Sequence, residues 1–408
     1  MVSRPGASGP LRYVGRVRVC VVGSGWHFTS GISYYTHRLS VELAREFDVS
    51  VVLMRRLVPR RFYPGRDRVG TQLSMQAYPD DVDVFDGVDW FVVPSLPRAV
   101  VFLVRQRPDV VVLQWWSAAT FHSYLVLALT ARLLHAQVVI EFHEVQDTGE
   151  AALPGVARYG QLLGGALVRL AAAFVTHSPY DSERVSQLHP LRDRPLRVIE
   201  HGPFDQHVGA KVDMAPEVAP DVAPVRKPGA PFRFLFFGTI RPYKGLEYLV
   251  QAFDSLSVDD AASRELVVVG ETWEGWTQPL ELIENSPHRE RITVTNRYVH
   301  DDEVTDFFDA CDAVVLPYTR SSASGPLHIA MSRGLPIVLT DVGGLRSGAA
   351  GYDGITWVPP QDVDALARAL HELPELPVRR FADPRSWSHS VDAYAELFSE
   401  LPARESPR

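Results

Sequence analysis

The chain has 408 residues, 46% of them hydrophobic and 22% charged, with a formal net charge of −8. That is too long for one core, so two domains of roughly 200 residues are expected. The acidic balance disfavours a nucleic-acid partner. Two cysteines far apart, Cys20 and Cys311, exclude a disulfide framework and a zinc motif and read as buried thiols in a reducing compartment.

Residues 1–15 form a polar tail without the apolar core of a signal peptide. RVRVCVVG (16–23) then reads as a strand, and SGISYYTHRLSVELAREF (30–47) as an amphipathic helix with its leading loop. Between them lies GSGWHFTSG, residues 23–31. Its glycines let a backbone approach a ligand, and the next helix offers unpaired N–H groups. Gly31 is thus a candidate ligand contact. Trp26 and His27 are candidate acceptor contacts, with packing as the alternative.

VSVVLM, DWFVVP, DVVVLQWW, AQVVIEFH, AAFVTHS and LRVIEHG follow as strands separated by helical segments. Short apolar β-branched runs in this alternation imply βαβ units and a parallel sheet covered on both faces. The apolar stretch 124–140 is broken by Arg132 and His135 and falls short of the ~20 residues of a membrane span.

Two segments of this half carry candidate chemistry. LMRRLVPRRFYPGRDRV (53–69) sets six Arg among apolar residues. Arg60 and Arg61 there are candidates for a phosphate-bearing or lipid-linked acceptor, with a solvated loop as the alternative. Residues 1–200 carry 22 Arg, no Lys and 18 acidic residues, a net +4 that leaves −12 for the remainder. A basic first half suits an anionic acceptor or peripheral contact with an anionic membrane surface. In EFHEVQDTGE (141–150), His143 leaves the C-terminal end of a strand and faces a ligand. Its alternative is a structural loop histidine. A metal bound with Glu144, Asp147 and Glu150 is disfavoured, because no second His or Cys lies in the segment.

Residues 206–230, rich in Pro, Ala and Val, read as a linker or exposed loop. The alternation then restarts with FRFLFF, ELVVVG, RITVTN, DAVVLPY and LPIVLTD as strands. LEYLVQAFDSL, DVDALARALHEL (362–373) and SWSHSVDAYAELFSEL (386–401) read as amphipathic helices.

The strand 232–237 runs through Gly238 into a polar loop carrying Arg241 and Lys244, and a helix begins near Leu246. A helix N-terminus with two flanking cations is suited to a diphosphate. In SSASGP, Ser321, Ser324, Gly325 and Pro326 crowd small residues at another helix start. There a ligand can approach backbone amides, or the serines merely cap the helix.

Together and in this order, these segments resemble the retaining glycosyltransferases of the GT-B fold, family 4, over about residues 16–400. GTIRPYKGLEYLVQAF is similar to that family's phosphate loop, and LPYTRSSASGPLHIAMSRGLPIVLTDVGG to its donor-sugar segment. The implied fold is two Rossmann-like domains with parallel sheets facing across a cleft. Its parts are an acceptor domain (16–205), the linker (206–230), a donor domain (231–385) and a last helix (386–401) packing back on the first domain.

The resemblance further implies that Arg241 and Lys244 hold the donor diphosphate with amides near Gly31, and that His143 lies beside the transferred sugar. Gly238, Glu271, Val299, Ser321, Ser324, Gly325 and Pro326 would line the donor. Neither metal nor cofactor is expected, and the acceptor would be a glycan, a lipid-linked intermediate or a small metabolite. The place of work would be the cytoplasm or the inner face of the plasma membrane. The family's pattern sets two glutamates eight positions apart around the donor-sugar loop; here those positions are Ser321 and Ile329. Two other readings are a non-catalytic partner of another transferase and a nucleotide-sugar 2-epimerase.

Overall fold

A computed structural model describes residues 16–25, 31–56, 77–91, 93–143, 154–204, 229–273, 275–321, 323–377 and 379–402. They fall into two compact units. One contains the described residues up to His201 together with those from Trp387, and the other runs from Gly202 to Ser386.

The first unit is a seven-stranded parallel sheet: β1 (Arg18–Ser24), β2 (Asp48–Arg56), β3 (Asp83–Asp89), β4 (Val110–Trp115), β5 (Gln137–Phe142), β6 (Ala173–Thr176) and β7 (Leu196–Val198). The order across it is β3-β2-β1-β4-β5-β6-β7. Alternate residues of β1 serve opposite faces. Cys20 and Val22 join the core beneath the helices Ser95–Gln106 and Phe121–Leu133. Val19 and Val21 join the core shared with the helix Gly31–Leu43 and the last helix, Trp387–Glu400. That last helix buries Trp387, Val391, Tyr394, Leu397 and Phe398 in this unit, each worth roughly 1.5–3 kcal/mol of apolar burial.

The second unit is a six-stranded parallel sheet: β8 (Phe232–Phe237), β9 (Arg264–Val269), β10 (Ile292–Thr295), β11 (Ala313–Leu316), β12 (Ile337–Thr340) and β13 (Ile355–Val358), in the order β10-β9-β8-β11-β12-β13. The sequence pattern did not single out β13.

One expected strand is corrected. Of DWFVVP, only Asp89 belongs to a strand among the described residues; β3 lies earlier, at Asp83–Asp89. It pairs with β2 at the sheet's edge, where a polar run such as DVFDGVD is tolerated. Within DWFVVP, Val93 is 72% and Trp90 39% exposed, and the chain turns there into the helix Ser95–Gln106. The stretch 124–140 divides into the helix Phe121–Leu133 and β5. Among the described residues, no helix is long and apolar enough to cross a membrane.

Both cysteines are free and buried. Burial pushes each thiol up to about 12, which leaves them poor nucleophiles.

Candidate active site

Every candidate residue with a described position is at or beyond a strand's C-terminal end, or on the connection that follows it, where open parallel sheets bind ligands.

In the second unit, Gly238 follows β8 and Gly270 follows β9. Both have positive φ, 124° and 150°. A side chain on Gly270 would run into the Gly238 carbonyl, so the two strand ends approach closely only because residue 270 is glycine. The loops beyond are joined by Ile240 N–H to the Glu271 carbonyl at 2.9 Å and Trp273 N–H to the Ile240 carbonyl at 3.1 Å. Gly270→Ala is therefore expected to destabilise this unit by about 1–3 kcal/mol or more, seen as a lowered melting temperature. An unchanged melting curve would contradict the close approach.

Arg241 precedes a short 3-10 turn, Pro242–Lys244, and Gly245 leads from it into the helix Leu246–Asp254. Lys244 is only 7% exposed. Its Nζ lies 3.8 Å from the centroid of Tyr318 and 5.1 Å from that of Tyr243. The guanidinium carbons of Arg241 and Arg320 each lie 5.3 Å from the Tyr243 centroid, and that of Arg241 lies 5.7 Å from Trp273. Three cations thus gather about one aromatic ring. Cation–π contacts hold such charges in place and leave a strongly positive patch at the helix start. Glu271 accepts from Trp273 Nε1 at 2.9 Å, which orients the indole beside Arg241. Val299 is a buried apolar residue.

In the loop that follows β11, Ser324 caps the helix Gly325–Ser332 through Leu327 N–H, with Pro326 in its first turn. Its hydroxyl also lies 3.1 Å from that of Tyr318, so this buried serine is engaged in structure. The carbonyl of Ser321 accepts from Gly344 N–H at 3.0 Å, and its hydroxyl donates to the Ala323 carbonyl at 2.7 Å. Ile329 is buried in the helix, where its side chain accepts no hydrogen bond.

In the first unit, His143 follows β5 and is 8% exposed. Sequence reasoning passed over its surroundings. His177 follows β6 and His201 lies just beyond β7, and the three rings meet, with centroids 4.6, 5.6 and 3.9 Å apart. Tyr35 sets its ring edge-on to all three, at 4.7, 5.2 and 4.5 Å. Behind them Glu141 is fully buried. It accepts from the hydroxyls of Tyr35 and Tyr394 at 2.6 Å each and from Gln114 Nε2 at 3.1 Å. Gln114 fits because Gly23 has no side chain; a Cβ there would collide with its amide oxygen. At least at Gly23, then, the glycine-rich loop makes room for a structural side chain and not for a ligand.

Burial pushes the Glu141 carboxyl up, but His143, His177 and the Tyr35 hydroxyl outweigh it and bring it down to about 2. Burial and the neighbouring His143 bring His177 down to about 4 from its ordinary 6.5. Burial, then the charge of Glu141, raises both tyrosines well above 10, so they stay protonated as donors.

On acidification from pH 6.5 to about 4, the unfolded chain protonates at His177 before the folded one does. Below 4.5, the same holds for Glu141 down to about 2. Both groups bind more protons when unfolded, so stability falls as pH falls. Urea midpoints are expected to decline across pH 6.5–4; a flat profile there would remove the buried neutral His177.

Gly31 opens its helix. Trp26, His27, Arg60 and Arg61 lie outside the described residues, as do Glu144, Asp147 and Glu150.

The chain matches the family "Glycosyl transferases group 1" over residues 231–375 and "Glycosyl transferase 4-like domain" over residues 30–202. It belongs to the family 4 glycosyltransferases of the GT-B fold. A D-inositol 3-phosphate glycosyltransferase of Rhodococcus opacus is 31% identical over 182 residues, 40% of each chain. A GDP-mannose:glycolipid 4-beta-D-mannosyltransferase of Xanthomonas campestris pv. campestris is 34% identical over 109 residues, 26% of this chain and 30% of that one. The first of these matches thus spans well under half of either chain. In fold, this chain is similar to the UDP-forming alpha,alpha-trehalose-phosphate synthase from Burkholderia xenovorans, solved with glucose-6-phosphate. The TM-score is 0.64 at 11% identity, over 94% of this chain and 100% of the other.

Proposed function

We propose that the protein transfers a sugar from a nucleoside-diphosphate donor to a hydroxyl acceptor, with retention at the anomeric carbon and without a metal or cofactor. The observation that carries this is the placement of Arg241 and the buried Lys244 at the start of the helix Leu246–Asp254. Two fixed cations and a helix N-terminus stabilise charge developing on a departing diphosphate. In a retaining step on one face, the acceptor oxygen attacks as the glycosidic bond breaks, and the leaving phosphate oxygen takes the acceptor's proton. No side-chain base is then needed. His143 lies beside the transferred sugar in this reading.

The relatives supply the donor and acceptor classes to test. GDP-mannose is named for one and D-inositol 3-phosphate for another, and a phosphorylated acceptor agrees with the arginines of residues 53–69. A glycan or lipid-linked acceptor reached at an anionic membrane surface is part of the same proposal.

The test is a thermal-shift screen with UDP, GDP, ADP and TDP and their sugars, with no metal added. A ligand that binds only the folded chain raises the melting temperature by mass action. A shift with one nucleotide is expected, and no shift with any would overturn the reading. One relative's name specifies a beta linkage, so the product's anomeric configuration is to be read directly by NMR; inversion would remove the retaining mechanism.

A further inference from the structure

The meeting of three histidines at three strand ends is more than packing around the transfer site. One ring nitrogen from each of His143, His177 and His201 lies within 4.8 Å of the others. The sequence separates them by tens of residues, and only the adjacency of β5, β6 and β7 unites them.

The hydrogen bonding of the rings points to what they face. Nδ1 of His177 lies 2.9 Å from the carbonyl of Ile199. A carbonyl accepts only, so Nδ1 carries the hydrogen, which leaves Nε2 as the nitrogen open to a ligand. This buried Nε2 makes no hydrogen bond, nor does the buried Nε2 of His143. Their nearest anionic neighbour is Glu141, at 3.6 and 3.5 Å, longer than a formed hydrogen bond. A histidine whose Nδ1–H is held by a backbone carbonyl presents its Nε2 as proteins present imidazole to a metal, and Glu141 lies on that same Nε2 side, where its negative charge would accompany a bound cation. Here two tyrosines and Gln114 hold that carboxylate.

We propose that His143, His177 and His201 form a binding site for a first-row transition metal ion, Zn2+ first among them, with Glu141 supplying the compensating negative charge. Imidazole nitrogens favour Zn2+, Ni2+ and Cu2+ over Mg2+ or Ca2+. Metal–nitrogen bonds of about 2.0–2.1 Å require the three rings to draw together by side-chain rotation. Three protein ligands leave a fourth position for water. The ion is distinct from the neutralisation of donor phosphate, which the proposed function assigns to Arg241 and Lys244. It stands or falls independently of that function, because its test uses neither donor nor acceptor.

The experiment uses the full chain with any affinity tag removed, stripped by chelator. Zn2+ is titrated by calorimetry, and Co2+ by its visible absorption. The expected result is one ion per chain, with cobalt bands of low-symmetry nitrogen coordination. His201→Gln is expected to weaken Zn2+ binding at least tenfold and to abolish those bands. His201 is the least buried of the three, so this variant is the one best placed to keep the fold, which far-ultraviolet circular dichroism checks. His177→Gln provides the second, more buried probe. Binding of less than half an equivalent, or an affinity that His201→Gln leaves unchanged in a folded chain, would overturn the site.

Discussion

Arg241→Ala and Lys244→Ala are each expected to lower kcat/KM for the donor by about 100- to 1,000-fold, the range seen when one group stabilising transition-state charge is removed. They should also weaken binding of the free nucleoside diphosphate. Lys244 is the sharper test. Its ammonium is held over Tyr318 and largely withdrawn from water, so its charge acts through a medium that screens it poorly. A solvated lysine would do far less. Arg241→Lys is expected to recover only part of the loss, because an ammonium lacks the planar fork that grips two phosphate oxygens. The measurement is donor affinity by calorimetry together with steady-state rates. If both alanine variants bind nucleotide as the parent does, the phosphate assignment is wrong, whatever the fold.

The largest effect on stability is expected at Glu141. Its carboxylate is fully buried and is the common acceptor for Tyr35, Tyr394 and Gln114. Glu141→Ala removes that acceptor and leaves these donors without it in an interior that admits little water. Breaking a buried charged cluster from one side costs about 3–5 kcal/mol. Glu141→Gln keeps the shape and one acceptor oxygen, and should lose less. Tyr394→Phe removes a single bond to a charged acceptor and should cost about 1–3 kcal/mol. It would also loosen the last helix, because Tyr394 belongs to Trp387–Glu400. Urea unfolding of the three variants checks the order, and a loss under about 1 kcal/mol for Glu141→Ala would contradict the role given to this hub.

Much of the fold was legible because its signals are local. The strands β1, β8, β9 and β11 are short apolar runs bounded by glycine, proline or polar residues, and periodicity shows them without any partner. The edge strand β3 was misplaced for the converse reason. Its polar sequence resembles a loop, while the apolar DWFVVP beyond it leads over the surface into a helix. Cation placement at Arg241 and Lys244 was also readable, since a strand, a glycine and a helix start lie within sixteen residues of one another.

Ser324 shows where local reading divides. Small residues before a helix suit both a ligand and a cap, and here the hydroxyl caps Leu327 N–H beside Tyr318. Gly23 divides in the same way, and the side chain that fills its space comes from Gln114 on another strand.

By itself, the sequence determined the alternation of strand and helix, the division into two sheets, and the basic turn that opens the second of them. These depend on residues near one another along the chain, where backbone propensity and apolar spacing act directly. Only the tertiary structure decided that His143 meets His177 and His201, and that Tyr35 and Tyr394 both bind Glu141. The order in which parallel strands pair, and the return of the last helix to the first unit, bring those groups together. Strand order is set by how whole faces bury against one another, a property of the assembled sheet that no single segment of the chain contains.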